Sequence, residues 1–321
     1  MPEFNFQKKL KELKKMASEE HMHVYEDLSK IEHKLYGGES GTTAWDKVTL
    51  ARHPERPTAL DYIDRVFDNF IEMHGDRQGG DDAALIGGIG FFEGIPVTVL
   101  AQQKGRNLKD NLKRNYGMAQ PGGYRKALRL AHEAETFGRP IITFIDTPGA
   151  YPGITAEEKG IGEAIARNLK EFSRLRVPII VIVIGEGGSG GALGIGVGDR
   201  VFMLENSVYS VISPEGCASI LLRDSSKAKL AAELMRMTSR DLLELGVIHG
   251  IISEGEGGAH KDAENTARHM QEVLAQQLPI LINKKASQLL KERSHRLLSL
   301  GPYYEDQQER GSLISRVFGK R

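Results

Sequence analysis

The features of the sequence with the clearest chemical potential are two glycine-rich turns, each of which follows an apolar run. The first begins at Asp146 and reads DTPGAYPG, and the second begins at Gly185 and reads GEGGSGGALGIGVGD. A turn without side chains at the start of a helix leaves backbone N–H groups open to a substrate oxygen, and the helix dipole favours negative charge there. The pattern therefore favours stabilisation of an enolate-like or ureido oxyanion. Tight packing of a helix on a strand also selects glycine and is the alternative explanation.

The second turn also matches the dinucleotide-binding pattern G-x-G-x-x-G. Gly185, Gly187 and Gly190 supply the glycines, and Glu205 follows Gly185 by twenty residues, where a ribose-binding carboxylate is expected. However, only residues 191–198 separate this turn from the next apolar run. A βαβ crossover needs at least about 10–12 residues including its helix. The spacing therefore argues against a dinucleotide site without excluding it.

The same turn places Ser189 at the centre of a G-x-S-x-G pattern, which is typical of a nucleophile elbow. An aspartate and a histidine should follow such a serine, and the candidates are Asp199, Asp241, His249 and His260. Residues of these types follow almost any serine, and a serine here also fits a helix cap. A serine hydrolase that uses Ser189 remains the alternative enzyme class.

Neither a GTPase site nor a metal site is indicated elsewhere in the sequence. Asp146 to Gly149 matches the D-x-x-G pattern, but the chain lacks the G-x-x-x-x-G-K-[ST] loop that would bind the nucleotide phosphates. The histidines do not follow H-E-x-x-H spacing, and the single cysteine, Cys217, excludes internal disulfides and a cysteine-built zinc site. We therefore expect no metal in this chain.

Composition narrows the class of protein further. The 321 residues contain 43 Lys+Arg and 43 Asp+Glu, so the charge balance argues against a broad grip on nucleic-acid phosphates. The longest apolar run, Val177 to Ile184, is far shorter than the ~20 residues of a membrane helix. The N-terminus has no apolar core of a secretory signal. These features together predict a cytoplasmic enzyme or enzyme subunit.

Alternating apolar runs and helical patterns predict an α/β fold with crossover connections. Thr58, with Asp61 three residues later, predicts the start of a helix. Several runs are apolar throughout, as in strands that are buried on both faces. The predicted helices cover residues 124–137, 156–175, 227–237 and 262–277, and the predicted strands read ALIGGIGFF, IPVTVLAQQ, PIITFID, PIIVIVIG, RVFMLE and VYSVIS.

The chain divides into three predicted regions. Residues 1–38 form an N-terminal helical extension, because Val24, Leu28, Ile31 and Leu35 make an apolar stripe that a glycine pair ends. This helix packs on its own domain or binds a partner. Residues 39–295 form the main domain, whose first part, residues 39–57, is predicted as a connecting stretch. Residues 296–321 form a mostly polar C-terminal tail.

Six motifs, taken in order, resemble the carboxyltransferase alpha subunits of multi-subunit acetyl-CoA carboxylases. The motifs are ARHPERP, HGDR, QQKGR, IDTPGAYPG, GEGGSGGALGIGVGD and SVISPEGCASIL, and the likeness covers about residues 51–260. The resemblance implies an α/β, crotonase-like (ClpP/crotonase) spiral of ββα units with an N-terminal helical extension. It also implies transfer of a carboxyl group from carboxybiotin to acetyl-CoA. The product is malonyl-CoA, in the first committed step of fatty acid synthesis.

The resemblance further implies that the enzyme is divided among several proteins. Biotin is carried on a biotin carboxyl carrier protein, and ATP is used by a partner biotin carboxylase. A beta subunit supplies a zinc ribbon and much of the acyl-CoA site. The expected assembly is a cytoplasmic α2β2 hetero-oligomer without a membrane or nucleic-acid role, and this chain alone is expected to be inactive.

Matching motif to motif, the resemblance assigns roles to seven residues. Gly191 and Ala192 are expected to offer backbone N–H groups as an oxyanion hole for the ureido oxygen of biotin, and the remaining residues shape or line this site. Gly187 and Gly188 belong to the same loop, and the opposite wall is formed by Gly149, Ala150 and Tyr151. A non-enzymatic scaffold that only completes a partner's site is a third hypothesis.

Overall fold

A computed structural model describes residues 42–301 of the chain. The predicted extension, residues 1–38, lies outside the described residues, as do residues 302–321 of the predicted tail. The helices are α1 Ala44–Ala51, α2 Ala59–Val66, α3 Leu108–Lys113, α4 Pro121–Phe137, α5 Ile154–Glu158, α6 Ile161–Phe172, α7 Ser189–Leu193, α8 Pro214–Leu221, α9 Ala228–Met235, α10 Ser239–Glu244, α11 Ala263–Ile282 and α12 Ala286–Leu298, with 3₁₀ turns at Asn115–Gly117 and Ser225–Lys227. The strands are β1 Asp68–Glu72, β2 Leu85–Phe92, β3 Ile95–Gln102, β4 Ile141–Thr147, β5 Ile179–Gly188, β6 Arg200–Leu204, β7 Val208–Ser210 and β8 Gly250–Ile252.

One mixed sheet organises the described part of the chain. Its strand order is β1-β2-β3-β4-β5-β6-β8, and β7 pairs with the end of β5. The first three strands are antiparallel neighbours, whereas β3, β4, β5, β6 and β8 run parallel. The predicted α/β class with crossover connections is therefore confirmed.

Strand β5 is buried on both faces, which explains its unbroken apolar sequence. Val181 and Val183 belong to a core layer shared with α4 and α6, whereas Ile180 and Ile182 belong to the layer shared with α2 and α11. Side chains alternate across a strand, so one apolar strand supplies both layers. The two layers hold the central strands rigidly, and the ends of β4 and β5 are positioned with them.

Helix boundaries follow local capping and glycine signals. The predicted start at Thr58 is confirmed, because its N–H donates to the Asp61 carboxylate at 2.8 Å. An equivalent capping box joins Thr43 to Asp46 at the start of α1, so the prediction that residues 39–57 only connect elements is wrong. The predicted helix over residues 156–175 is divided into α5 and α6, because Gly160 has a φ of +77° between them.

Helix α12 is anchored to the centre of the sheet by one buried arginine. The fully buried Arg293 guanidinium donates to both carboxylate oxygens of Asp199, at 2.9 and 2.7 Å. It also donates to three backbone carbonyls that precede β5, those of Phe172, Leu175 and Val177. The helix runs on to Leu298, so the predicted boundary between residues 295 and 296 falls inside it.

Candidate active site at the ends of two parallel strands

The two glycine-rich turns lie side by side because they follow adjacent parallel strands. Strands β4 and β5 are paired along their length, and the pairing reaches Thr147 and Gly187. Parallel strands present their carboxyl ends at one edge of the sheet, which is where ligands bind in open α/β sheets. The first turn, residues 148–153, and the second, residues 188–193, therefore meet at this edge.

The two turns are in direct backbone contact. A Cβ atom added at Gly188 would lie 2.1 Å from the carbonyl oxygen of Pro148. One added at Gly191 would lie 2.3 Å from the carbonyl carbon of Gly149 and 2.4 Å from the nitrogen of Ala150. No side chain fits at either glycine, so the sequence requires glycine for this close approach. The structure thus brings together four of the predicted site residues.

The other predicted site residues have different neighbours. A Cβ at Gly187 would lie 2.6 Å from the ring of Tyr209, so Gly187 packs against β7 and not against the first turn. The Tyr151 N–H donates to the Ala119 carbonyl at 3.1 Å, and its side chain packs on the core. Ala192 is fully buried. Gly187 therefore packs against β7, and the side chains of Tyr151 and Ala192 pack toward the core.

The start of helix α7 offers unpaired N–H groups to the same edge. Gly188 is the N-cap residue, and among residues 42–301 no side chain caps the helix. The N–H groups of Ser189, Gly190 and Gly191 lie in the first turn, where an α-helix supplies no carbonyl partner of its own. Ser189 has a φ of +53°, and this left-handed residue redirects the chain from the strand into the helix. The arrangement can bind an oxyanion through the backbone.

A cluster of charged side chains, whose centre is largely buried, lies next to the turns. We call Arg52, Lys104, Asp146, Glu186 and Glu215 the charged cluster. The Lys104 ammonium lies 2.7 Å from the Asp146 carboxylate and 3.1 Å from that of Glu186. Arg52 joins Glu186 at 2.5 Å to Glu215 at 2.6 Å. The Glu186 N–H also donates to Asp146 at 3.0 Å, so the cluster ties the ends of β4 and β5 together.

The charged cluster favours the ionised forms of Lys104 and Glu186. Burial alone would lower the pKa of Lys104, but the Asp146 and Glu186 carboxylates outweigh it and raise that pKa. Burial likewise would raise the pKa of Glu186, but Lys104 and Arg52 hold it below its ordinary value. Lys104 is therefore a fixed cation near neutral pH and not a proton-accepting base.

A cavity of about 340 Å³ opens beside the charged cluster. Its wall includes Pro148 of the first turn, and its cationic lining comes from Arg52, Arg56, Lys104 and Arg106. Arg56 is buried and forms a two-pronged pair with Glu254, at 3.0 and 2.6 Å. The sequence motifs ARHPERP and QQKGR contain these cations, but spacing alone did not indicate that they converge, because they lie in separate loops.

The structure does not assemble a catalytic triad around Ser189. The carboxylate of the first candidate, Asp199, accepts hydrogen bonds from Arg293, and that of Asp241 belongs to a capping box with Thr238. Nδ1 of His249 accepts from the Val201 N–H at 3.0 Å. Burial, followed by Arg200 and Arg296, lowers the pKa of His249 to about 4. The fourth candidate, His260, stacks on His53. The serine hydrolase hypothesis is therefore not supported.

Two further observations concern the described residues alone. Within residues 42–301, no group of three or more histidine, cysteine, aspartate or glutamate side chains is arranged to hold a metal ion. Among the helices of the same residues, none is both long and apolar enough to cross a membrane.

The second turn runs into a five-residue helix, α7, which is not the crossover helix of a dinucleotide site.

Comparison with solved structures defines the fold. The chain is similar to transcarboxylase 12S, with a TM-score of 0.57 and 20% identity over 71% of this chain and 44% of that one. It is also similar to a malonate decarboxylase hetero-dimer from Pseudomonas, with a TM-score of 0.53 and 21% identity over 69% of this chain and 92% of that one. The chain spans less than half of the transcarboxylase polypeptide. These likenesses show the fold, and the predicted crotonase-like α/β class is confirmed.

Sequence comparison then identifies the family. The model described as acetyl co-enzyme A carboxylase carboxyltransferase-like matches residues 2–301, and the chain belongs to this family. A relative from Treponema denticola, acetyl-coenzyme A carboxylase carboxyl transferase subunit alpha, is 58% identical over 92% of this chain and 97% of its own. The protein of that name from Anoxybacillus flavithermus is 52% identical over 96% of each chain. The predicted family and transferase class are confirmed.

Proposed function

We propose that this chain is the biotin-facing subunit of a carboxyltransferase that converts acetyl-CoA to malonyl-CoA. The observation that carries the proposal is the backbone contact between the turns at Gly188 and Gly191, beside unpaired N–H groups at the start of α7. Biotin, carboxylated on a carrier protein, supplies the carboxyl group when bound. The residues of this chain bind and orient the ureido oxygen of biotin. The glycines of the two turns permit this, because they have no Cβ atoms that would block the approach.

Within this proposal, the backbone of the second turn stabilises negative charge. The N–H groups of Gly191 and Ala192 form the oxyanion hole, and that of Gly190 lies one residue before them at the same helix start. Gly187 and Gly188 shape the loop, and the first turn forms the opposite wall through Gly149, Ala150 and Tyr151. A side-chain nucleophile is not needed, because the chemistry depends on charge stabilisation.

The proposal assigns the remaining chemistry to other proteins. A beta subunit contributes the acyl-CoA half of the site and holds zinc, and a biotin carboxylase uses ATP to load the biotin carboxyl carrier protein. We propose an α2β2 core in the cytoplasm, with residues 39–295 as the carboxyltransferase domain. Co-purification with a beta subunit, followed by malonyl-CoA assays in both directions, tests this division. Turnover by the isolated chain would contradict it.

The decisive experiment compares Gly191→Pro with Ser189→Ala in the purified complex. Proline removes the N–H at residue 191, and loss of one oxyanion donor costs about 10²–10³ in rate. We expect Gly191→Pro nearly to abolish transfer. Alanine at residue 189 removes only a hydroxyl, so we expect transfer to remain largely intact.

Steric effects are separated with Gly191→Ala, which keeps the N–H but introduces the Cβ contact. Circular dichroism and subunit stoichiometry should match the parent complex for all three variants. A folded Gly191→Pro complex with full rate, together with a dead Ser189→Ala complex, would overturn the backbone model. It would return the serine nucleophile to consideration.

A further inference from the structure

The carbonyl group of Gly191 is held by two buried side chains. Nε2 of Gln102 donates to it at 2.8 Å, and the hydroxyl of Tyr124 donates to it at 3.1 Å. A carbonyl in a one-turn helix normally lacks a donor within the helix. Here the Ile195 N–H, four residues on, donates to Ala192 instead. Gln102 and Tyr124 therefore replace the missing backbone donor.

These two hydrogen bonds fix the direction of the Ala192 N–H as well as that of the Gly191 carbonyl. The peptide unit that contains the Gly191 carbonyl also contains the Ala192 N–H, and a trans peptide is planar with these two groups pointing in opposite directions. Holding the oxygen therefore sets the direction of the N–H. A helix of five residues has little stability of its own, so its orientation depends on such external contacts.

Tyr124 contacts the turn at a second point. A Cβ at Gly194 would lie 2.4 Å from its ring, so the ring packs directly on the backbone after α7. Asn168 of α6 donates from Nδ2 to the Gly194 carbonyl at 2.9 Å and to the Tyr124 carbonyl at 3.0 Å. Burial raises the pKa of Tyr124, so its hydroxyl stays protonated and remains a donor.

Gln102 has fewer competing contacts. It is fully buried at the end of β3, and its Oε1 has no hydrogen-bond partner among residues 42–301. Within the same residues, the bond to Gly191 is the contact made by its Nε2. The amide is thus directed at the turn, so its removal should first change the orientation of the turn.

We propose that Gln102 and Tyr124 are positioning residues that aim the backbone N–H groups of the Ser189–Leu193 turn at the reacting oxyanion. This inference rests on the proposed function of the turn. Neither side chain touches the substrate. Each acts through the Gly191–Ala192 peptide, from behind the turn.

The experiment uses Tyr124→Phe and Gln102→Met in the complete carboxyltransferase complex. Tyr62→Phe is the matched control, because Tyr62 is also fully buried but its hydroxyl has no partner among the described residues. The assay follows transfer of the carboxyl group from malonyl-CoA to free biotin. We expect its kcat to fall about tenfold in each test variant, which corresponds to a rise of about 1.4 kcal/mol in the activation free energy. The KM for malonyl-CoA should stay within twofold, and Tyr62→Phe should match the parent in both constants.

A second readout does not depend on turnover. Amide hydrogen exchange of peptides that cover Ser189–Leu193 should accelerate at least threefold in Tyr124→Phe and Gln102→Met. Exchange in β5 before Gly185 should be unchanged, and Tyr62→Phe should leave the turn at the parent rate. Such a local effect distinguishes positioning of the turn from general loosening of the core.

The outcomes separate the inference from the proposed function. If both test variants match Tyr62→Phe in kcat and exchange, Gln102 and Tyr124 do not position the turn. An equal rise of exchange throughout β5 would also overturn the inference, because the role would then be general stability. Gly191→Pro tests the function itself, because it removes an N–H group of the turn. Full activity of a folded Gly191→Pro complex would contradict the site, whereas loss of activity in Gly191→Pro beside a fully active Tyr124→Phe would contradict only the positioning role.

Discussion

Two neighbouring regions at the ends of β4 and β5 are built in opposite ways. The pair of turns contains almost no side chains where they touch, at Gly188 and Gly191. The charged cluster, whose members Asp146 and Glu186 lie two residues earlier on the two strands, is centred on largely buried charges. The turns fix their geometry by direct backbone contact, whereas the cluster fixes its geometry by attraction between ions. Backbone contact does not depend on protonation. Substitutions that remove a charge should therefore affect the charged cluster, whereas substitutions that add a Cβ atom should affect the turns.

The largest effect on stability is expected when the cluster loses its shared cation. Lys104→Met leaves the Asp146 carboxylate buried without a cation, since its side chain is only 6% exposed. Breaking a buried pair on one side costs about 3–5 kcal/mol, and we expect the free energy of unfolding in urea to fall by about that amount.

The control is Arg236→Met, which removes a solvent-exposed pair with Glu244 and a longer one with Asp241, and it should cost less than about 1 kcal/mol. Equal losses in the two variants would mean that the cluster contributes no more than a surface pair.

A smaller effect on stability, but a large one on activity, is expected from a methyl group between the turns. Gly188→Ala places a Cβ 2.1 Å from the Pro148 oxygen, so the turns must separate. Displacement of reacting groups by about 1 Å can cost about 10²-fold in rate, and we expect that loss of transfer in the complex, assayed at matched subunit stoichiometry.

Gly162→Ala in α6 meets nothing within 4 Å and should leave transfer unchanged. Full activity in Gly188→Ala would show that the backbone contact is dispensable.

The smallest effect concerns pH and separates the regions most directly. Because Lys104 and Arg52 hold the pKa of Glu186 below its ordinary value of 4.5, the ionised form stabilises the fold above that pH, and the contribution is lost as pH falls through the lowered pKa. Glu186→Gln should therefore be less stable than the parent at pH 7, and the difference should shrink below about pH 4.5.

Urea unfolding from pH 7 to pH 3.5 measures this difference. The deficit of Gly188→Ala should stay constant over the same range, because no titrating group is changed. A constant deficit in Glu186→Gln would show that its charge is not what the cluster uses.

Six of the eight strands in residues 42–301 were predicted, because apolar runs mark strands buried in the sheet, whereas the short edge strands β1 and β8 were not predicted. The two glycine-rich turns were also recognised from local pattern, but only the family resemblance implied that they face each other. Helix α1 could also have been predicted, since Thr43 and Asp46 repeat the capping signal of Thr58 and Asp61. Gly160 could likewise have indicated the break between α5 and α6, because glycine readily adopts the left-handed conformation found there.

The charged cluster and the donors to Gly191 were not predictable in the same way. Arg52, Lys104 and Glu186 come from three distant segments, and their meeting depends on strand register and loop geometry that composition does not encode. Gln102 lies in a strand whose apolar pattern conceals the role of its amide. Such contacts arise from tertiary packing, so local sequence rules do not indicate them.

The buried arginine of α12 has a consequence for the order in which the chain folds. Arg293 makes contacts with residues 94 to 121 positions earlier, so Asp199 and three carbonyls before β5 lack this guanidinium until that part of the chain has been synthesised. Contacts of such sequence separation form late, because the entropy of closing a long loop comes first. A nascent chain that stops short of this residue leaves the Asp199 carboxylate and the three carbonyls without these donors, and incompletely packed states of this kind favour aggregation.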